Sequence, residues 1–260
     1  MIKAIFFDID GTLVSLKTKV YSPSAKRALE LLREKGIRLL VATGRSKFEI
    51  EGEHLLEGLT FDGILTNNGQ DGYDADGSLL FGSPIHPDDV AAVIDWSLTN
   101  DVACWVVTAR ESILSHVNSR VEDAMVEIHT KTPPIGDVRR AAREPVYKIV
   151  LFLTPEEMAR PMALMPHSRK TQWFDCGFDI IARDGGKGTA VAEICRRYGL
   201  AREETMAFGD GQNDIDMLKA AGIGVAMGNA PEEVKAAADY VTEDVDEDGL
   251  WKALEHFGLL

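Results

Sequence analysis

The sequence predicts an α/β fold: a Rossmann-like, doubly wound parallel core sheet with an inserted α+β cap domain. Near both ends of the chain, short apolar runs alternate with segments of helical periodicity, which is the pattern of βαβ units. From about residue 83 to about residue 183 this alternation is lost. The sequence therefore predicts a core of residues 1–82 and 184–260 and a cap of residues 83–183.

The first half of the predicted core reads as strands and helices in turn. The run after Lys3 is apolar and breaks at a pair of aspartates, as a buried parallel strand does. An Asp-Gly pair at 76–77, between short runs, is a hairpin signal and predicts an antiparallel edge. The predicted elements are a strand at Lys3–Phe7, a helix from Ser22 with its cap at Gly36, a strand at Arg38–Ala42, a helix from Ser46 and a strand at Gly63–Thr66.

The remaining segments complete the core and define the insertion. In the core they are a helix at Lys187–Tyr198, a strand at Thr205–Phe208, a helix through Met217, a strand at Gly224–Met227 and helices at Pro231 and near Leu250–His256. In the cap they are a helix at Pro87–Asn100, strands at Ala103–Thr108 and Val146–Leu153 with irregular polar sequence between them, and short strands near Trp173 and Ile180.

The net charge of the chain limits the classes of binding partner that can be expected. The chain has 42 Asp and Glu against 28 Lys and Arg, a formal charge of -14, which repels nucleic acids and anionic membranes at long range. A small anionic substrate is still compatible, because a bound divalent ion and a few cationic groups dominate the field inside a cleft. We therefore expect neither a nucleic acid nor a membrane as partner, and no protein partner is implied.

Cysteine and histidine usage adds two expectations. The three cysteines are widely spaced, and no long apolar stretch or signal peptide is evident, so we expect a cytoplasmic protein with reduced thiols. The six histidines, from His54 to His256, show no ligand-like spacing, and we expect them to be surface or core residues.

Polar residues follow several predicted core strands at their carboxyl ends. They occur at Asp8–Thr12, at Thr43-Gly44, before the helix at Lys187, and at Gly209–Asp214. In an open parallel sheet these ends meet at one crevice, where such folds bind ligands. We therefore expect these groups to form one site.

The residue types suggest phosphate chemistry. Asp8 and Asp10 can both point into the crevice, one as metal ligand and nucleophile and the other as acid. Asp210, with Asn213 and Asp214 behind it, offers the hard oxygen ligands that Mg²⁺ prefers. In addition, Thr43 offers a hydroxyl and an N–H to a phosphate oxygen, and Lys187 offers a positive charge.

These segments together resemble the haloacid dehalogenase superfamily, specifically its Cof-type phosphatases with a C2B cap, and the resemblance spans nearly the whole chain. Four motifs carry it in order: Asp8-Ile9-Asp10-Gly11-Thr12-Leu13, Ala42-Thr43-Gly44-Arg45, Gly185-Gly186-Lys187-Gly188 and Gly209-Asp210-Gly211-Gln212-Asn213-Asp214. The segments Asn67-Asn68-Gly69 and Ala226-Met227-Gly228-Asn229-Ala230 also resemble this group.

The resemblance implies a role for each matching residue. It implies that Asp8 forms an aspartyl phosphate, that Asp10 protonates the leaving oxygen and then activates water, and that Asp214 orients Lys187 or a metal-bound water. It also implies a Mg²⁺ ion held by Asp8, the backbone carbonyl of Asp10 and Asp210, and a phosphate held by Thr43, the backbone of Ile9 and Gly44, Lys187 and Asn213.

The implied function is a Mg²⁺-dependent phosphatase of small phosphate monoesters, with sugar phosphates as the expected class. The resemblance thus implies a small phosphorylated metabolite as partner. One alternative is a phosphomutase of the same superfamily, similar to phosphomannomutase, which uses the same two aspartates. Another is a non-catalytic binding or regulatory protein, against which the intact acidic and lysine motifs argue. Substrate choice is expected to rest on the cap, with residues 175–179 as the candidate contact to the leaving group.

Overall fold

A computed structural model describes residues 1–127 and 130–260; His129, one of the six histidines, lies outside the described residues. The chain forms two compact units. The core unit comprises Met1–Arg45, His54–Phe81 and Gly186–Leu260. The inserted unit comprises Ser46–Glu53 and Gly82–Gly185. No helix in the described ranges is both long and apolar enough to cross a membrane.

The core unit is built on a mostly parallel sheet. Across the described residues its eight strands are β1 (Ala4–Phe7), β2 (Arg38–Ala42), β3 (Gly63–Thr66), β4 (Asp71–Asp74), β5 (Leu79–Gly82), β11 (Thr205–Gly209), β12 (Ile223–Ala226) and β13 (Tyr240–Val241). They lie in the order β13-β12-β11-β1-β2-β3-β4-β5, and only the edge beyond β3 departs from parallel pairing, with β3 and β4 antiparallel.

The central strand β1 lies between β2 and β11, where the chain order reverses direction across the sheet. Both of its faces are buried, and the rings of Phe7 and Phe208 stack with their centroids 5.5 Å apart. Parallel strands covered on both faces read as continuous apolar runs, which is why the sequence revealed them. Core helices are α1 (Pro23–Glu34), α7 (Lys187–Tyr198), α8 (Ile215–Ala220), α9 (Glu232–Lys235) and α10 (Gly249–His256).

The inserted unit has its own sheet and core. In its described part the elements are β6 (Cys104–Thr108), β7 (Ser112–Leu114), β8 (Val146–Phe152), β9 (Ser168–Phe174) and β10 (Gly177–Ala182), with α2 (Lys47–Gly52), α3 (Pro87–Thr99), α4 (Ser119–Glu127), α5 (Val138–Ala141) and α6 (Ala159–Ala163). The five strands form a sheet in the order β7-β6-β8-β10-β9. Alternate residues of β6 enter different apolar clusters, Val106 on one face and Trp105 on the other.

The predicted α/β class is confirmed, with a mostly parallel sheet and a second, antiparallel one. The polar sequence after Thr108, expected to be irregular, contains β7, α4 and α5. Strand β7 and helix α5 have only three and four residues, too few to show a periodicity, whereas the apolar residues of α4 pack in one cluster with residues of β6 and β8.

Helix α2 differs in position from the expectation. The sequence analysis assigned the helix from Ser46 to the core, whereas Ser46–Glu53 groups with the inserted unit. Its start is local: the Ser46 hydroxyl accepts from the Glu49 N–H, and Glu49 accepts from the Ser46 N–H, a capping box. A tertiary contact joins this helix to β8 of the inserted unit, since the Lys148 ammonium lies 3.5 Å from the Glu49 carboxylate.

Candidate active site

The predicted site residues of the core unit meet at the carboxyl ends of β1, β2 and β11. Asp8 follows β1, Thr43 follows β2 and Asp210 follows β11. Because β1 has β2 on one side and β11 on the other, this is the point where a doubly wound sheet opens a crevice.

The turn after β1 brings its backbone close to Asp210. Gly11 has φ +80°, and a Cβ at this position would clash with the Asp210 carboxylate. Glycine is therefore required here for both its conformation and its size. The neighbouring Thr12 hydroxyl donates a 3.0 Å hydrogen bond to Oδ1 of Asp210, so the first and fourth motifs are joined directly.

Lys187 is the buried cation of the site. Its side chain is 0 % exposed, and Nζ donates to Oδ1 of Asp8 at 2.6 Å and to Oδ1 of Asp214 at 2.5 Å. The second oxygen of Asp214 accepts from the backbone N–H groups of Asp210 and Gly211 at 2.9 and 2.8 Å. Asp214 therefore holds Lys187 in place and also fixes the loop that carries Asp210.

Asn229 is a contact of the site to which the sequence analysis gave no role. Its Nδ2 donates to the Gly11 carbonyl at 2.9 Å and to Oδ2 of Asp210 at 3.1 Å, and its Oδ1 accepts from the Val245 N–H at 3.0 Å. The sequence could have indicated this position, because Asn229 follows β12 at the same edge of the sheet as the other motifs.

Thr43, Gly44 and Asn213 lie around a second polar turn. The Asn213 side chain donates a 2.9 Å hydrogen bond to Oδ1 of Asn68, whose backbone N–H donates to the Thr43 carbonyl at 2.9 Å. A Cβ at Gly44 would lie 3.1 Å from the Asn68 oxygen, so Gly44 permits this close approach. Asn68, quoted for the resemblance but given no role, thus links two predicted phosphate-binding segments.

Asp10 lies apart from the Lys187 cluster and pairs with Arg45. Arg45 Nε donates to Oδ2 of Asp10 at 2.6 Å and Nη2 donates to Oδ1 at 2.9 Å, a two-point ion pair that engages both carboxylate oxygens. The Asp10 side chain is 30 % exposed. Arg45 belongs to the second motif, but the resemblance implies no role for it. Of the other predicted site residues, Ile9 is fully buried, and its carbonyl accepts from the N–H groups of the following turn.

The carboxylates of the crevice are crowded. Burial raises the pKa of Asp8 to about 7, with Lys187 opposing and the charges of Asp214 and Asp10 adding to the rise. Burial, together with the charges of Asp8 and Asp214, raises the pKa of Asp210 to about 8. Burial alone would lower the pKa of Lys187, but the neighbouring charges of Asp214 and Asp8 outweigh it and raise that pKa above its usual range.

The donor set fits a hard divalent cation. Oxygens of Asp8, Asp210 and Asp214 lie within 4.8 Å of one another, and all three residues are buried. Three carboxylates against the single ammonium of Lys187 leave two negative charges when all are ionised. Since Asp214 already accepts three hydrogen bonds, Asp8 and Asp210 are the carboxylates suited to a metal.

Comparison with known proteins agrees with this geometry. A family model described as haloacid dehalogenase-like hydrolase matches residues 5–254. Three solved structures share the fold of this chain, and each aligns with nearly all of its residues. One, from a study of the phosphatase BT1666 of Bacteroides thetaiotaomicron, superimposes with a TM-score of 0.91 at 33% identity over 100% of this chain and 96% of that one.

The other two structures are more similar in sequence. The subclass IIB sugar phosphatase BT4131 has 37% identity and a TM-score of 0.87, covering 99% of this chain and 100% of that one. A structure from a study of a trigonal-bipyramidal intermediate in a phosphoryl-transfer superfamily has 36% identity and a TM-score of 0.88, covering 100% of both chains.

Curated relatives are also named as phosphatases. The 5-amino-6-(5-phospho-D-ribitylamino)uracil phosphatase YcsE of Bacillus subtilis is 29% identical over 99% of this chain and 96% of its own length. The phosphoglycolate phosphatase of Methanoculleus marisnigri is 29% identical over 99% and 97%. A Streptococcus pyogenes protein whose name couples a phosphatase with a peptidyl-prolyl cis-trans isomerase is 29% identical, and the chain spans 54% of it.

The fold, the site and these matches together define the class of protein. The chain belongs to the haloacid dehalogenase-like hydrolases. Within them it is a Cof-type phosphatase, a phosphoric monoester hydrolase, as the sequence predicted.

The crowded carboxylates predict a pH dependence of stability in the metal-free protein. The folded-state pKa values of Asp8 and Asp210 lie near 7 and 8, above the ordinary value of 3.8, so the folded state retains protons that the unfolded state loses. The stability they contribute is complete below about pH 4 and is lost as the pH rises through about 7 to 8. Thermal unfolding after chelation should therefore show a contribution that falls between about pH 5 and pH 8.

The Asp8→Asn variant isolates this contribution, because it removes one of the two titrating carboxyls and leaves the remaining charges in place. Its stability should decline less with pH than that of the wild-type protein, and each kcal/mol of difference moves Tm by about 2–4 °C in a chain of this size. Parallel pH profiles for the two proteins would contradict the prediction.

Proposed function

We propose that this protein is a Mg²⁺-dependent phosphatase that hydrolyses small phosphate monoesters, sugar phosphates in particular, through a phosphorylated Asp8. The observation that supports this most directly is the pairing of Asp8 with buried Lys187 at 2.6 Å, beside Asp210 at the next strand end. A carboxylate nucleophile next to fixed positive charge is suited to phosphoryl transfer, which depends mainly on positioning and electrostatic stabilisation.

In the proposed first step, the Asp8 carboxylate attacks phosphorus while Asp10 donates a proton to the leaving oxygen. Lys187 then faces the negative charge that spreads over the phosphoryl oxygens. Thr43, the backbone of Ile9 and Gly44, and Asn213 bind the same oxygens. When bound by Asp8, the Asp10 carbonyl and Asp210, Mg²⁺ supplies additional positive charge at the phosphoryl group.

In the proposed second step, water hydrolyses the aspartyl phosphate. Asp10, which has lost its proton, accepts one from the attacking water. Asp214 takes no part in bond making. Its contacts to Lys187 and to the Asp210 N–H hold the ammonium of Lys187 and the metal ligand Asp210 in position. Release of phosphate restores Asp8.

The substrate class rests on similarity. BT4131, at 37% identity, is a sugar phosphatase, and relatives at 29% identity are named for phosphoglycolate and for a phosphorylated ribitylaminouracil. These compounds are all small phosphate monoesters, although their leaving groups differ. They support the monoester class as a whole and sugar phosphates as the first compounds to assay.

Replacement of the nucleophile tests the proposal. Asp8→Asn should lower kcat by more than about 10³-fold without loss of folding, because the amide cannot form the phosphoenzyme. Phosphate release from a panel of sugar phosphates measures this, and mass spectrometry of acid-quenched wild-type protein should find the phosphoryl group on the peptide containing Asp8.

The matched control is Asp62→Asn, which alters a carboxylate that precedes β3 and accepts from the Leu39 N–H, at the opposite end of the strands. It should keep near wild-type turnover. Near wild-type phosphate release by Asp8→Asn would contradict the mechanism, and turnover that required an added sugar bisphosphate would identify a phosphomutase instead.

Arg45 gives a second prediction, because it engages both oxygens of the proposed acid. Arg45→Met should misplace Asp10 and lower kcat/KM for alkyl phosphates by about 10- to 100-fold. The kcat/KM for p-nitrophenyl phosphate should fall less, since nitrophenolate leaves without a proton. The control is Arg33→Met, which removes an exposed partner of Asp62. Equal losses for both substrate types would exclude a role through Asp10.

The metal requirement gives a third prediction. Activity should disappear in excess chelator and return with Mg²⁺, whereas Ca²⁺, which is larger and less strict in geometry, should support it poorly. Asp210→Asn should raise the Mg²⁺ concentration needed for half-maximal activity by at least about 10-fold, as expected for a weakened metal site. Asp214→Asn should mainly lower kcat, because it removes one of the two carboxylates that hold the Lys187 ammonium in place. Full activity in excess chelator would refute the Mg²⁺ requirement.

A further inference from the structure

The inserted unit contains a second cluster of ligand-type side chains, unrelated to the motifs of the core. One ring nitrogen each from His86 and His167 and one carboxylate oxygen of Asp89 lie within 4.8 Å of one another. The two imidazole rings stack with their centroids 4.3 Å apart. From the sequence, all six histidines were expected to be surface or core residues, because they show no ligand-like spacing.

Asp89 is fixed before any ligand arrives. It is 1 % exposed, and its Oδ2 accepts from the His167 N–H at 2.9 Å and from the Ser168 hydroxyl at 2.7 Å. Its Oδ1 lies 3.1 Å from Nδ1 of His167. Carboxylate ligands of metals are held by such outer hydrogen bonds, which orient the remaining oxygen.

The spacing suits a coordinated metal. Two ligands at 2.0–2.1 Å from a tetrahedral Zn²⁺ are separated by about 3.3 Å, close to the 3.1 Å between Asp89 and His167. His86 is about half exposed and can turn its ring without disturbing the core. Its Nδ1 accepts only a long, 3.3 Å hydrogen bond from the Asp88 N–H, and the Asp88 carboxylate, 3.8 Å away, is available as a further oxygen ligand.

The charges of the two imidazoles and the carboxylate also favour a bound metal ion. Stacked imidazoles that both carried protons would repel each other, whereas neutral imidazoles and a carboxylate are the usual ligands of a divalent transition-metal ion. The nitrogen ligands also separate this cluster from the active site, whose candidate ligands are all oxygens and favour Mg²⁺.

We propose that His86, Asp89 and His167 bind a divalent transition-metal ion of the Zn²⁺ type. The ion joins the start of α3 to the start of β9. This is also where the inserted unit begins and ends, since His86 follows the boundary at Gly82 closely and the Arg183 N–H donates to the His167 carbonyl at 2.8 Å. The site therefore clamps together the two chain segments that enter and leave the inserted unit, and it does not depend on the proposed substrate or mechanism.

Co²⁺ is the probe, because its visible absorption reports nitrogen and oxygen ligation and it substitutes for Zn²⁺. The starting protein is the full chain carrying Asp8→Asn and Asp210→Asn, which disables the acidic cluster of the core. Titration with Co²⁺ should give a saturable visible band, one bound ion per chain by calorimetry and a rise in Tm.

Adding His86→Gln and His167→Gln to this protein should remove the band and the rise in Tm and weaken Co²⁺ binding by at least about 100-fold. Both side chains are substantially exposed, so the fold should persist, and the phosphatase activity of a chain with these two changes alone should match wild type at saturating Mg²⁺. Ser168→Ala should weaken binding by about 10- to 100-fold by freeing Asp89.

His116→Gln is the matched control. His116 lies in the same unit, 3.7 Å from the Asp101 carboxylate, but belongs to no described cluster of three ligands. Its loss should leave Co²⁺ binding unchanged. Equal Co²⁺ affinity with and without His86 and His167, or no saturable binding in the starting protein, would overturn the proposal. In the second case the cluster would be a hydrogen-bonded group of Asp89, His167 and Ser168 that holds no metal.

Discussion

The buried ammonium of Lys187 is the interaction on which the site depends. An uncompensated buried charge is costly, and here two carboxylates, Asp8 and Asp214, compensate it from the first and fourth motifs. Asp214 in turn receives the backbone N–H groups of the loop that carries Asp210. One cation at the start of α7 thus ties together the segments that follow β1 and β11, and removing any member of this set leaves a buried charge without one of its partners.

This arrangement leaves an excess of negative charge that the protein alone does not neutralise. Burial and mutual repulsion hold the pKa values of Asp8 and Asp210 near 7 and 8, so the metal-free site retains protons at neutral pH. A divalent cation would displace them, which couples metal binding to pH and to stability. Asp10 is neutralised by a different cation. Arg45 engages both of its oxygens at the margin of the cluster, where the Asp10 side chain remains partly exposed to solvent.

The inserted unit also contains a buried carboxylate that is held by hydrogen bonds, but its neighbouring ligands are different. Its buried Asp89 is held by the backbone and side chain of neighbouring residues and faces two histidines. In both units a carboxylate is oriented by hydrogen bonds before it meets a cation. The difference is chemical, because imidazole nitrogens favour borderline transition metals and carboxylate oxygens favour Mg²⁺.

The sequence by itself determined the parallel strands, the class of fold and the four motifs, because buried strands are continuous apolar runs and their polar ends are adjacent in sequence to those runs. Lys187 could be identified only through its motif. The resemblance left open whether Asp214 orients Lys187 or a metal-bound water, and only the structure shows the contact with Lys187. Tertiary structure alone decided that Arg45 engages Asp10, that Asn229 supports Asp210, that Ser46–Glu53 joins the inserted unit and that His86 meets His167. These are contacts between side chains on elements distant in the chain, and no local periodicity encodes them.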